Sequence, residues 1–522
     1  MRRVMLAKIR SVAVYGIDAI PVEIEANCPG YGEIKTVIVG LPDAAVRESR
    51  DRVYTAIQNS GFRYHKGAVT INLAPADVQK EGPSFELPIA VGILAGDGQL
   101  KLDDIRVADA LNHYALIGEL ALDGGVRAVK GVLSVALQTR AAKLRGLIVP
   151  AANAAEAAVV RGIEVIPVRS LRETVEFLAG DDVIAPHKVD LEALFRDHAL
   201  YDVDFADVKG QESVKRALEV AVAGGHNILM LGPPGTGKSM LAKRIATILP
   251  PLSLDEALET TRIHSIMGLI APGQSLVATR PFRSPHHTVS DAGLIGGGAN
   301  PTPGEVSLAH HGVLFLDELP EFHRNALEVL RQPLEEGRVT ISRAVGSMTF
   351  PSEFMLVAAM NPCPCGYHGD SRRECRCGPL AIQRYRARVS GPLLDRIDLH
   401  VEVPNVPYKA MASDIIGEPS EKIRARVLAG REVQTKRFAG RRKVYCNARM
   451  GPRELKQFCK LDESCHQLLQ MAMTQLNFSA RAYDRILKVA RTIADLDRSE
   501  VIQSHHVSEA IQYRSLDRQL LS

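Results

Sequence analysis

The sequence predicts an α/β protein in three parts: a first α/β domain over 1–180, a doubly wound α/β domain over 206–406, and a small helical domain over 407–522. Three observations predict it. The apolar run Ile228-Leu229-Met230-Leu231 leads directly into Gly232-Pro233-Pro234-Gly235-Thr236-Gly237-Lys238-Ser239, and a helical pattern follows over 240–248. Strand-like and helix-like stretches alternate around that segment from Phe205 to about Pro404, the arrangement of a parallel sheet with crossover helices. From about Tyr408 onward strand signals fade and helical patterns run over 420–436, 452–458 and 481–496.

The first domain mixes apolar strands at 12–15, 37–39 and 69–73 with a helical pattern at 44–60, and carries no phosphate loop of its own. A polar, turn-prone stretch at 181–205 reads as a linker. The chain of 522 residues is 46% hydrophobic and 24% charged, ordinary values for a globular protein. Its formal charge of +4 is too small to argue for nucleic acid without local clustering. There is no apolar run of the roughly 18 residues a membrane span needs. Met1-Arg2-Arg3 is basic, but Asp18, Glu23 and Glu25 interrupt any apolar leader, so the cytoplasm is expected. The eight cysteines are then expected to be reduced, and a cluster among them points to a metal.

Gly232–Ser239 fits the phosphate-binding pattern G-x-x-x-x-G-K-[ST]. Its glycines let backbone N–H groups curl inward toward phosphate oxygens, and the helix start adds partial positive charge. Lys238 is expected on the β/γ-phosphates of ATP, and the Ser239 hydroxyl on Mg²⁺. Downstream, in Gly312-Val313-Leu314-Phe315-Leu316-Asp317-Glu318, the four consecutive apolar residues read as a buried parallel strand with the acidic pair at its carboxyl end. Asp317 would hold Mg²⁺ through water and Glu318 would polarise the attacking water. A third strand, Phe354 to Met360, ends in Asn361, whose amide would orient that water or sense the γ-phosphate. Arg396 in Leu393-Leu394-Asp395-Arg396-Ile397-Asp398 is the candidate for a charge acting on a neighbouring subunit's phosphate. Arg481, which opens a C-terminal helix, is the candidate in cis, with Arg485 its rival one turn on.

These residues together resemble the AAA+ ATPases, within the branch of the magnesium-chelatase ATPase subunit, the MoxR proteins and the MCM helicases. The segments starting at Arg280 (RPFRSPHH), Leu294 (LIGGG), Pro303 (PGEVSLAH) and Gly391 (GPLLDRID) are similar to the ComM/YifB family, and the likeness spans essentially the whole chain. The resemblance implies a hexameric ring with ATP sites between subunits. It further implies a helicase that drives branch migration on single-stranded and branched DNA during natural transformation, alongside recombination proteins and away from membranes. Lys80-Glu81-Gly82-Pro83-Ser84 followed by Phe85-Glu86-Leu87-Pro88-Ile89 resembles the serine-bearing segment of the Lon protease domain, an S5-type α/β fold. Ser84 matches the nucleophile. Where that family has a lysine base, this chain reads Val132-Leu133-Ser134-Val135, with Lys130 displaced by about a turn. The expectation is a Lon-like fold without proteolysis, followed by an AAA+ P-loop domain and its helical lid.

Cys363-Pro364-Cys365 and Cys375-Arg376-Cys377 place four thiols within fifteen residues, enough for tetrahedral Zn²⁺, with His368 as a possible substitute ligand. Arg372, Arg373 and Arg376 on the same loop suit a phosphate backbone, as does the later run Arg384, Arg386 and Arg388. Two further insertions, Arg283 to Thr288 with His286 and His287, and a hairpin over 338–350 with Arg343 near its turn, match places where MCM-type rings grip DNA. The basic run 436–443 reads as a solvated face. Two rival functions stay open: a chelatase- or MoxR-like motor remodelling a protein partner, and an ATP-dependent peptidase using Ser84.

Overall fold

The computed structural model describes residues 5–517 except 31, 78–79, 81, 192–194, 196–200, 299–300, 344–345, 371, 408–416, 442–443 and 477. Glu81 of the serine segment, the hairpin tip at 344–345, Tyr408, and Arg442-Lys443 of the basic run therefore lie outside the described residues. The chain divides into two units, Met1–His198 with Leu254–Ala278, and Ala199–Ser253 with Thr279–Ser522.

In the first unit, β1 (Met5–Tyr15) and β2 (Asp18–Cys28) pair antiparallel in full register from Met5 opposite Cys28 to Tyr15 opposite Asp18. Gly16 takes the left-handed φ of 61° that the tight turn between them requires. Strands β3 (Lys35–Val39), β4 (Ala68–Ala74) and β5 (Tyr114–Leu116) follow, then the short pair β6 (Glu119–Leu120) and β7 (Val126–Arg127). Strands β1 to β5 with β8 (Gly146–Pro150) and β9 (Glu164–Val168) build a seven-stranded sheet in the order β3-β4-β2-β1-β5-β8-β9, and β6 with β7 forms a sheet of its own.

Strand β2 was not among the strands expected. Its acidic residues, which argue against a leader, occupy one face of a period-two pattern: Val22, Ile24, Ala26 and Cys28 are buried, while Glu23 and Glu25 point away and pair with Lys8 at 2.8 and 3.1 Å. The helix Glu86–Gly96 is buried along its whole length, so it reads as a continuous apolar run without helical periodicity.

The helix Leu254–Ile266 belongs to this first unit, which interrupts the continuous 206–406 domain that the sequence suggests. Buried Glu156 explains the attachment. Its carboxylate accepts from the Leu133 backbone N–H at 2.8 Å and from the Ser265 hydroxyl, and burial pushes its pKa up. The Arg262 guanidinium adds a bond to the Ile17 carbonyl at 2.8 Å.

The second unit is built on β10 (Ile228–Leu231), β11 (Phe282–Arg283), β14 (Val313–Leu316), β17 (Met355–Met360) and β18 (Leu399–Glu402), with two hairpins between them. These are β12 (Gly296–Gly297) with β13 (Thr302–Pro303), and β15 (Arg338–Arg343) with β16 (Gly346–Pro351). The five main strands are all parallel, in the order β11-β14-β17-β10-β18. Their carboxyl ends therefore share one edge. Apolar side chains of β10, β14, β17 and β18 pack in one core with the helices Glu212–Gly224, Ser420–Arg437 and Ala480–Leu496.

Those C-terminal helices are also joined to the sheet by polar contacts. Asp398, fully buried just before β18, accepts from Arg485 at 2.5 Å and from the Asn227 backbone N–H at 3.1 Å, and lies 3.2 Å from His226 Nδ1. Burial raises the carboxyl pKa, but Arg485 and His226 outweigh it and hold the group well below the ordinary range. Burial lowers the His226 pKa, since it disfavours the charged ring.

Candidate nucleotide site and cysteine centre

Three strand ends meet at the common edge. β10 opens into Gly232-Pro233-Pro234-Gly235-Thr236-Gly237, where Gly235 and Gly237 adopt φ of 80° and 89°, a curl that only glycine makes without strain. No atom lies within 4 Å of where a Cβ on Gly235 would stand, so the space beside it is open. Lys238 starts the following helix and turns its amine back into the loop, donating to Gly232 O at 2.7 Å, Pro233 O at 2.8 Å and Asn361 Oδ1 at 3.2 Å. Burial lowers its pKa to about 8, with Asp317 and Glu318 pulling the other way. Ser239 Oγ donates to Asp317 Oδ2 at 2.5 Å, a hydroxyl and a carboxylate side by side in the manner of a Mg²⁺ site. The donor set fits a nucleotide triphosphate with its cation.

Glu318 follows β14 at φ 53°, a left-handed conformation that costs a non-glycine residue about 1 kcal/mol or more. Its backbone N–H donates to Asp317 Oδ1 at 2.9 Å and its side chain is exposed. The side chain lies 3.3 Å from His287 Nδ1, and His287 stacks on His286 with ring centroids 4.1 Å apart. So the histidines singled out as DNA candidates sit beside the candidate catalytic carboxylate. Gln211 was missed by the sequence reasoning: its amide donates to Thr236 O at 2.7 Å and steadies the loop from outside. No local motif marks it, because it reaches the loop across 25 residues.

The two arginine candidates differ. Arg396 is only 5% exposed, with its guanidinium bound to Glu335 and to Pro392 O within the same chain. Arg481 is exposed and forms no ion pair among the described residues, whereas Arg485 is held by Asp398. Among the DNA candidates, Arg283 forms a two-pronged pair with Glu305, both bonds 2.7 Å, and is not a free cation here. Arg343 is exposed, and the hairpin that carries it adjoins the glycine turn: a Cβ on Gly296 would stand 2.8 Å from Ile341 Cδ1, and one on Gly297 would stand 3.6 Å from the Arg343 guanidinium. Arg372 donates to Val406 O at 2.6 Å, Arg373 to Tyr367 Oη at 2.8 Å, and Arg376 is exposed.

Cys363, Cys365, Cys375 and Cys377 converge so that all four sulfurs lie within 4.8 Å of one another. Cys363 is 3.4 Å from Cys365 and 3.7 Å from Cys375, and Cys365 is 3.6 Å from Cys375. A tetrahedron of Zn–S bonds of about 2.3 Å has S···S edges of about 3.8 Å, so the spacing fits the ion. Backbone N–H groups point at the sulfurs: His368 donates to Cys363 at 3.3 Å and Cys377 to Cys375 at 3.5 Å. The amides of Tyr367 and Arg376 hold the Cys365 thiol down, to about 6. His368 is not in the ligand cluster.

Ser84, in the first unit, has no such company. It sits in the short turn Pro83–Phe85, and its carbonyl accepts from the Gly118 N–H at 2.9 Å. Among the described residues no side chain hydrogen-bonds to its hydroxyl. Lys80 is buried with its amine on Pro75 O, Lys130 lies against Gly268, and Ser134 donates to Ile17 O at 2.6 Å.

The strand order and this edge define a class. The family model described as "Magnesium chelatase, subunit ChlI" matches residues 204–411, "Subunit ChlI of Mg-chelatase" matches 23–153, and "Magnesium chelatase, subunit ChlI C-terminal" matches 417–514. The protein is a mixed α/β chain of the Mg-chelatase-like AAA+ class. It is 44% identical over 519 residues to the protein YifB of Escherichia coli, covering 99% of this chain and 98% of that one. It is 43% identical over 517 residues to "Competence protein ComM" of Haemophilus influenzae, again with 99% and 98% coverage. A more distant relative, the magnesium-chelatase 38 kDa subunit of Rhodobacter capsulatus, is 27% identical over 218 residues, 38% of this chain and 55% of that one. The chain belongs to the ComM/YifB family. No helix among the described residues is long and apolar enough to cross a membrane.

Proposed function

We propose that this protein is an ATP-driven DNA motor, working as a homo-hexameric ring that promotes branch migration of recombination intermediates in the cytoplasm during competence. The observation that carries the reading is the 3.3 Å approach of His287 to Glu318, which ties the candidate DNA loop to the candidate catalytic carboxylate. The name of the Haemophilus relative supports the competence setting.

In this reading Lys238 leaves the loop carbonyls for the β/γ-phosphate oxygens, and its lowered pKa reflects a buried amine awaiting an anion. Ser239 and Asp317 would hold Mg²⁺, which would supply positive charge against the transferred phosphate. Glu318 polarises the attacking water, and Asn361 orients it from the end of β17. Arg396 must exchange Glu335 for a neighbour's γ-phosphate, so the finger acts only after that pair opens. Arg481 approaches the phosphates in cis. On DNA, His286, His287, Arg343, Arg372, Arg373 and Arg376 meet the backbone, and Arg283 holds their loop in place through Glu305. The four cysteines bind structural Zn²⁺. The first unit is a Lon-like domain without proteolysis, since among the described residues Ser84 has no base paired with it to take its proton, and the C-terminal helices are the lid.

ATP hydrolysis measured with and without branched DNA tests the reading on wild type, Lys238→Ala and Glu318→Gln. Stimulation by DNA in the wild type alone, with salt-sensitive DNA binding by Glu318→Gln, supports it. Hydrolysis without DNA stimulation or DNA binding overturns it in favour of a motor that remodels a protein partner, the reading closest to the chelatase relatives.

A further inference from the structure

The cysteine centre lies against the phosphate loop. Cys363 comes two residues after Asn361, whose amide oxygen accepts from Lys238 at 3.2 Å. From Cys363 the chain turns sharply, the Gly366 N–H donating to Cys363 O at 2.9 Å, and Gly366 adopts a φ of 88°. This turn packs on Pro234 of the phosphate loop: a Cβ on Gly366 would stand 2.6 Å from Pro234 Cδ and 3.1 Å from Cγ. Gly366 is itself buried, while Pro234 exposes its other side. The far end of the centre is anchored as well. Cys377 leads through Gly378 into the helix Pro379–Arg386, and Arg386 Nε donates to Pro362 O at 3.2 Å, closing the segment back onto the residue beside Asn361.

We propose that the metal centre is the support of the ATP site, so that zinc occupancy sets nucleotide affinity. The inference rests on the readings above that the loop binds ATP and the four cysteines bind zinc. Two residues of the nucleotide site, Pro234 and Asn361, are positioned by the segment 362–377, whose described residues form no helix or strand. Such a segment gains most from a cross-link, and four thiolates on one cation supply one. Without the ion nothing ties the four sulfurs together, the turn at Gly366 loosens, and both the back of the phosphate loop and the amide on Lys238 lose their backing. Gly366 and Pro234 are positioning residues in this scheme; neither touches the phosphates through its side chain.

The test uses the full chain and equilibrium binding of a fluorescent, non-hydrolysed ATP analogue with Mg²⁺ in excess. Zinc is removed with a zinc-selective chelator, the chelator is removed by gel filtration, and metal content and circular dichroism are read on the same sample. The expected result is about one zinc per untreated chain, a loss of analogue affinity of about tenfold or more on stripping, and recovery on adding zinc back. Gly366→Ala, which keeps all four thiols, is expected to retain zinc and the wild-type spectrum yet bind the analogue about tenfold more weakly, with kinetics of zinc release unchanged. If stripping unfolds the chain, Gly366→Ala decides alone. Wild-type affinity in zinc-loaded Gly366→Ala, or unchanged affinity in folded, stripped protein, overturns the support role while leaving both sites standing. Untreated protein without zinc, or without analogue binding, overturns the underlying readings instead.

Discussion

Two serines in this protein stand in motifs that carry chemistry in other proteins, and they fare differently. Ser239 closes the phosphate loop and has Asp317 2.5 Å away, with Lys238 beside it in the loop and Asn361 and Glu318 arriving from two other strand ends. Ser84 sits in a turn, and the two candidate lysines are held elsewhere, Lys80 by a carbonyl and Lys130 against Gly268. A motif specifies a local backbone shape. Chemistry needs groups from distant segments at hydrogen-bond distance, and a parallel sheet supplies them because it aligns all its strand ends on one edge.

The strongest way to break this contrast is at the nucleotide site. Lys238→Ala and Glu318→Gln are each expected to cut ATP turnover by about 10²–10³-fold, with Glu318→Gln keeping nucleotide binding, as steady-state hydrolysis and analogue titration would read. Turnover within a few fold of wild type in Glu318→Gln would put the water-polarising role elsewhere.

Next comes the buried ion pair that holds the C-terminal helices to the same sheet. Arg485→Ala leaves Asp398 buried without its cation and is expected to cost about 3–5 kcal/mol in urea unfolding. The pair also gives a pH dependence. His226 has its pKa lowered from 6.5, and Asp398 from 3.8, so each binds fewer protons folded than unfolded. Stability is therefore full above about pH 6.5, declines below it as the unfolded chain's His226 takes up a proton, and declines again below about pH 4 through Asp398. In Asp398→Asn the lower step should vanish.

A smaller effect sharpens the contrast. His287→Ala is expected to reduce DNA stimulation of hydrolysis by about five- to tenfold with little change in DNA-free turnover, because it severs a contact between loop and carboxylate. The smallest expected effect is Ser84→Ala, within about 0.5 kcal/mol of wild type in stability and without change in hydrolysis. Peptidase activity lost in that variant would erase the contrast altogether.

Much of the second unit is legible in the chain. The strands at 228–231 and 313–316 and the helix at 452–458 stand as read, because four apolar residues before a loop signal have few other readings. The first unit was harder. β2 hides behind Glu23 and Glu25, which look like interruptions until the sheet shows that they share its outer face. The helix Leu254–Ile266 carries nothing in its composition to say that it leaves the domain around it; that follows from Glu156, about a hundred residues earlier, taking a bond from Ser265.

The sequence by itself determined the phosphate loop, the acidic pair, the closing asparagine and the four-cysteine spacing, since each is set by neighbours along the chain whose φ/ψ and side-chain period are local properties. Only the tertiary structure decided how those parts are used. It occupied Arg283 with Glu305 and Arg396 with Glu335, set His287 on Glu318, and laid Gly366 against Pro234. Each of these contacts joins segments between 22 and 132 residues apart in the chain. Such pairs form where packing of the sheet and its helices leaves two side chains facing, and no local pattern encodes which two those are.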